Sequence, residues 1–174
     1  IDSEDEDLEE IWHDVSLALE MALKNLIISR EDEGEELLKD LHGRLEKIRL
    51  LSIDIESKTP VVINEYHKRL KERTLELLKG QEVDESRWAV EVAIFAEKSC
   101  IDEELVRLKG HLKGFTKALQ QSDAIGRKLD FIVQEINRET NTISAKANDL
   151  EISSHVVEVK SEIEKIREQV QNIE

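Results

Sequence analysis

Apolar residues recur along most of the chain at alternating three- and four-residue spacing, which is the pattern of helices that bury one face. Leu8, Ile11, Trp12, Val15, Leu19, Ala22, Leu23 and Leu26 make the first stripe. A second runs through Leu37, Leu38, Leu41, Leu45 and Ile48 toward Ile55, and Ile63, Tyr66, Leu70 and Leu77 form a third. Pro60 falls between the last two, so a break or kink is expected there, giving two long helices in an antiparallel or kinked hairpin, with Gly80 as a C-cap. Residues 88–96 are ambiguous: Trp88, Val90, Val92 and Ile94 alternate as a strand would. Trp88, Val92 and Phe95 also keep helical spacing, and Ala89, Ala93 and Ala96 offer a small face for a neighbour, so helix is expected. Asp102 is expected to cap the next helix, with Ile101 packing on Val106. Leu105, Leu108, Leu112, Phe115 and Leu119 then follow coiled-coil spacing, as do Val156, Val159, Ile163, Ile166, Val170 and Ile173.

The segment 126–148 joins an apolar stripe to an unusual polar one. Ile125, Leu129, Ile132, Ile136 and Ile143 make the core face, while Arg127, Asp130, Gln134, Arg138 and Asn141 step along another, beside Glu135, Asn137, Glu139, Thr142 and Lys146. Short amides lower helix propensity, so their repetition on one face calls for a partner: another helix, a metal or a polar ligand. A structural hydrogen-bond network is the competing reading. Phe131 is expected in the core and not as a surface for stacking bases.

Composition narrows the fold further. Phe, Trp and Tyr total six in 174 residues, so Leu, Ile, Val and Ala must build the core, and with 37% charge and one proline an all-α fold of long antiparallel helices with a bundle is expected. One continuous domain is expected, with residues 1–83 as an acidic segment and helical hairpin and 84–174 as a helical region. No stretch nears the roughly 20 apolar residues of a membrane span. The lone Cys100 excludes an internal disulfide and fits a reducing, cytoplasmic setting. The net charge of −15 disfavours nucleic acid if it is spread evenly. It is not: residues 1–50 carry −10, whereas 111–146 hold six basic and four acidic side chains. Screening over about 8 Å lets a basic surface act despite a distant acidic helix, although a plain solvated face explains the same tally.

Few residues carry candidate chemistry. Glu104, Arg107 and His111 line one edge of the 105–119 seam at i, i+3 and i+7. Glu91 sits four residues after Arg87, where a simple ion pair is the plainer reading, and His111 is equally read as a satisfied boundary histidine. His13, His42, His67 and His155 have no ligand spacing. The acidic run at residues 2–7 lacks the glycine and terminal Glu of a calcium loop. HExxH, CxxC, Walker and dinucleotide motifs are absent from the sequence, which leaves protease, kinase and oxidoreductase readings without support.

The run GRKLDFIVQEINRETNTISAKAND and the ending KSEIEKIREQVQNIE resemble the C-terminal region of the YicC/YloC-like bacterial endoribonucleases. Glu91-Val92-Ala93, Ile101-Asp102-Glu103-Glu104-Leu105, Arg107-Leu108 and His111 resemble the preceding block, and Arg30-Glu31-Asp32-Glu33-Gly34 an earlier one. The resemblance covers most of residues 17–174 and is most specific over 87–146. It implies an endoribonuclease of RNA processing or decay, self-association as a hexamer, RNA as partner, and a further N-terminal domain that this chain, starting at Ile1, lacks.

RNA strand scission needs an activated oxygen nucleophile, charge stabilisation and a protonated leaving group. Carboxylate-held Mg or Mn can supply these, or a histidine can drive attack by the ribose 2′-hydroxyl. Many acids beside one His favour metal. The expected catalytic set is Glu104, His111, Glu135 and Glu139; the expected metal ligands are Glu91, Glu104, His111 and Glu135. Arg87, Arg107, Arg127, Lys128, Gln134, Asn137, Arg138, Asn141 and Lys146 are the expected RNA contacts, arginine suiting phosphate best. The alternative is a helical oligomerisation scaffold whose catalytic groups lie in the missing domain.

Overall fold

The computed structural model describes residues 8–78, 85–121 and 124–173. Among these the chain is all-α, with five helices: α1 (Leu8–Leu78), α2 (Glu85–Lys98), α3 (Asp102–Ala118), α4 (Gly126–Lys146) and α5 (Leu150–Val170). Gly80 and the acidic run at residues 2–7 lie outside the described residues. The chain divides into two units, Ile1–Asp40 and Leu41–Glu174.

In the first unit the apolar stripe stays in solvent. Trp12 is 70% exposed, and Leu8, Leu19, Met21, Leu23, Leu26 and Ile27 are all open.

The second unit is a helical core built as the spacing requires. Leu41, Leu45, Ile48 and Ile55 of α1, the α3 residues Leu105, Leu108, Leu112 and Phe115, Leu129, Ile136 and Ile143 of α4, and the α5 stripe from Val156 to Val170 are buried. Cross-links fix the helix directions. Lys146, at the end of α4, reaches Glu104 at the start of α3 (3.1 Å), and Lys128 at the start of α4 reaches Gln121 just past α3 (2.8 Å), so α3 and α4 are antiparallel. Along α5, Glu151 pairs with Lys58, whereas Glu162 pairs with Lys47 and Arg44, so α5 runs against α1. Glu162 is buried yet held at 2.9–3.0 Å by Lys47, Arg44 and Lys165. Burial opposes its ionisation, but hydrogen bonds from the three cations prevail and bring its pKa down to about 2.

Three expectations change. Pro60 does not divide the hairpin: α1 continues through it. The Glu56 carbonyl loses its intrahelical donor, but Pro60 lies on the exposed face, where water can substitute, and Ile55 and Val62 stay buried on either side. The reversal comes later, where Tyr66 stacks on Phe95 (3.7 Å, 6°) and Lys71 lies over Trp88, pairing the end of α1 with α2 in opposite directions. Asp102 does not cap α3; Ile101 takes that position without a side-chain cap bond, and Val106 is 67% exposed, so the expected staple is not formed. A side-chain cap is found instead at the start of α5, where Asp149 accepts from the amides of Glu151 and Ile152. Phe131 is 63% exposed, because Leu129, Val133 and Ile136 take the inner face of α4 and leave Phe131 on the outer one.

Candidate active site

The charged edge of α3 meets α4 through Arg107. Its Nε lies 2.9 Å from Glu139, one terminal nitrogen donates to Glu103 at 3.1 Å, and the other donates to Glu104 at 3.1 Å. Glu104 and Glu139 are both buried. Lys146 closes the cluster from the end of α4, donating to Glu104 (3.1 Å) and to the Cys100 carbonyl (2.9 Å). Burial works against the charge on Glu104, but the Lys146 hydrogen bond and the Arg107 charge outweigh it and hold its pKa below the usual carboxylate range. Its second oxygen, Oε2, is buried without a hydrogen-bond partner.

Beside this cluster opens a cleft of about 660 Å³ between α3 and α4. Arg107, Gly110 and His111 line it from α3, and Glu135, Arg138, Glu139 and Thr142 from α4. These residues share a wall because i, i+3, i+4 and i+7 positions superpose on a helix face, and the Leu108 and Ile136 faces packed beneath fix the two walls against each other. Arg138 is 75% exposed and stands 3.9 Å from Glu135, so most of its guanidinium faces open space. The cleft therefore combines an imidazole, which can take and give a proton, two carboxylates and an available guanidinium.

Of the expected catalytic set, His111, Glu135 and Glu139 line this cleft, and Glu104 lies behind it through Arg107. Arg107 and Lys146 are engaged by carboxylates of the chain itself. Arg87 and Glu91 are exposed on α2 and do not line the cleft. Arg127 and Lys128 also lie outside its lining, and the amides bond along α4 itself: Gln134 donates to Asp130 (2.7 Å) and Asn141 to Asn137 (3.5 Å). Most of the amide face is thus a network on the surface of one helix.

A resident divalent cation would require several carboxylate or imidazole donors turned to one point. Among the described residues no group of three His, Cys, Asp or Glu could hold a metal ion. Glu104 and Glu139 instead direct oxygens to Arg107 and Lys146, which neutralise them. Of the expected ligands, His111 and Glu135 line the cleft, Glu104 is turned to Arg107 and Lys146, and Glu91 lies on α2 outside it.

Sequence reasoning missed Gly110 in the cleft and a second groove between α1 and α3. That groove carries Arg49 and the lysines of α3, and the i, i+4, i+8 spacing of Lys109, Lys113 and Lys117 was its available signal.

The match to known proteins is consistent with these elements. The family model for "Endoribonuclease YicC-like, C-terminal" matches residues 55–174, which hold the later part of α1 and all of α2–α5. The chain is 45% identical over 143 residues to the probable endoribonuclease YicC of Clostridioides difficile (strain 630), covering 82% of this chain and 48% of that relative. It is 35% identical over 145 residues to the probable endoribonuclease YicC of Haemophilus influenzae (strain ATCC 51907 / DSM 11121 / KW20 / Rd), covering 83% and 50%. The chain spans about half the length of these curated relatives. A family match over more than half of the residues means that this chain belongs to the YicC-like endoribonuclease family, matching its C-terminal region.

Proposed function

We propose that the protein is an endoribonuclease of bacterial RNA processing or decay and that the α3/α4 cleft cleaves RNA phosphodiester bonds. The observation that supports this reading is the lining of one open cleft by His111, Glu135 and Arg138. Arg138 offers a guanidinium to the phosphate, and His111 and Glu135 serve as the proton-transferring groups. Arg107, itself in the cleft wall, holds Glu139 there and Glu104 behind it.

Because Glu104 and Glu139 are neutralised within the chain, proton transfer without a resident metal is favoured. In that chemistry the ribose 2′-oxygen bonds to phosphorus and gives its proton to the base. The bond from phosphorus to the 5′-oxygen breaks, and that oxygen takes a proton from the acid. Dependence on Mg or Mn belongs to the proposal for the RNA-bound state, since Mg²⁺ commonly combines one or two carboxylates with substrate phosphates. Product ends and chelation separate the two: a 2′,3′-cyclic phosphate that forms in chelator supports proton transfer, and free 3′-hydroxyl ends lost on chelation support metal-assisted hydrolysis.

A scaffold role is the second reading, supported by the exposed apolar face of the first unit around Trp12, Leu19 and Leu26. Self-association as a hexamer is proposed on the same face, and a cytoplasmic location completes the proposal. Among the described residues no helix is long and apolar enough to cross a membrane. Cleavage measured on this chain alone, and on a chain extended to the length of its relatives, decides between scaffold and enzyme.

A further inference from the structure

The groove between α1 and α3 is a basic concavity on a strongly acidic chain. It measures about 650 Å³, with Leu45, Ile53 and Leu112 in its lining. Arg49, Lys109, Lys113 and Lys117 also line it, against one acid, Glu46, and His42 stands among them. Arg49 is tied to Glu46 (2.6 Å) and Lys109 to Glu56 (2.7 Å). Among the described residues, Lys113 and Lys117 have no such tie, and both are exposed. A local excess of cations on a chain of net charge −15 favours a polyanion.

The geometry favours an extended anion over a compact one. Lys109, Lys113 and Lys117 follow one another at i, i+4 and i+8, so each step advances about 6 Å along α3. That step is of the same order as the separation of successive phosphates in a nucleic-acid strand. The apolar lining beside the row suits the face of an unpaired base, which a duplex would keep stacked inside.

The two sides of α3 then divide the work. Its buried stripe, Leu105, Leu108 and Leu112, has the lysine row on one flank and Arg107 and His111 on the other. Between the flanks, on the outer side, stand Gly110 and Gly114, where an added Cβ would meet nothing of the chain within 4 Å. Packing within the chain therefore does not require glycine at either position, and a strand crossing the outside of α3 would pass over a bare ridge between groove and cleft.

We infer that the α1/α3 groove is a single-stranded RNA-binding site in which Lys113 and Lys117 hold consecutive phosphates of a strand that continues over Gly110 and Gly114 to the α3/α4 cleft. The inference rests on the endoribonuclease reading for its ligand, but its test does not require cleavage.

The test is binding of a fluorescent single-stranded RNA with 2′-O-methyl sugars, titrated at several salt concentrations with the native chain and with Lys113→Gln/Lys117→Gln. Both side chains are exposed, and helical circular dichroism verifies the variant's fold. The native chain should bind with a salt-dependent affinity. The double variant should bind at least tenfold more weakly, with a log–log salt slope shallower by about 1.4, from about 0.7 per phosphate on single strands. Unchanged binding by the lysine variant overturns the groove, as does equal competition by polyglutamate of matched charge, which would indicate an acidic peptide instead. Native binding lost in the lysine variant, from a protein that cleaves no RNA at any length of chain, leaves the groove standing and removes the endoribonuclease reading.

Discussion

Replacing Glu162 by glutamine should cost stability that depends on pH in a defined direction. The carboxylate is buried on α5 and is held by Lys47 and Arg44 from α1 and by Lys165 one turn along α5. Burial disfavours the charge, the cations overcome it, and the pKa falls from 4.5 to about 2. By linkage that difference corresponds to about 3 kcal/mol at neutral pH. Lys47 and Lys165 are half-exposed, so solvent screening reduces the contribution to about 1–2 kcal/mol. A carboxylate whose folded pKa is depressed stabilises above its unfolded value, and that stabilisation disappears as pH falls through the folded one. Urea unfolding at pH 7 should therefore show Glu162→Gln less stable by about 1–2 kcal/mol. The deficit should begin to shrink near pH 4.5 and be almost gone at pH 2. Equal stability at pH 7, or a deficit unchanged at pH 2, would mean that the three cations do not hold the Glu162 carboxylate ionised in the fold.

Three further substitutions probe the packing. Leu108→Ala should remove about 2–5 kcal/mol in urea unfolding, because Leu108 is buried in the α3 seam and its loss leaves a cavity. Asp149→Ala removes the two amide contacts at the start of α5 and should cost about 1 kcal/mol, measured the same way. Pro60→Ala restores an N–H inside a continuous helix and should raise stability by about 1–3 kcal/mol; a loss of stability would mean that Pro60 serves a turn after all.

The core was legible because burial depends on period. The 105–115 and 156–170 seams occupy the interior that three-four spacing assigns to them, and α2 is a helix despite its alternating valines. Pro60 misled because its cost in a helix, about 3 kcal/mol, can be outweighed by packing on either side, here by buried Ile55 and Val62, and that packing is a tertiary property. Phe131 misled because hydrophobicity was weighed above position: Val133 carries the inward direction on α4, and Phe131 does not. In the candidate site, spacing found the Glu104, Arg107 and His111 edge. It did not reveal that Arg107 is spanned by Glu103, Glu104 and Glu139, since Glu139 comes from another helix. Glu162 escaped notice for the same reason: along the sequence it is a surface acid three residues before Lys165, and its other cations lie on α1.

The most direct test of the α3/α4 cleft is single-turnover RNA cleavage by the protein, extended to the length of its relatives, with His111→Ala, Glu135→Gln and Arg138→Ala compared with the native sequence. The account predicts at least a hundredfold loss of cleavage for His111→Ala and Glu135→Gln, with helical content and RNA binding retained, and weaker cleavage for Arg138→Ala. Native rates from His111→Ala and Glu135→Gln would contradict it and move the chemistry out of this cleft.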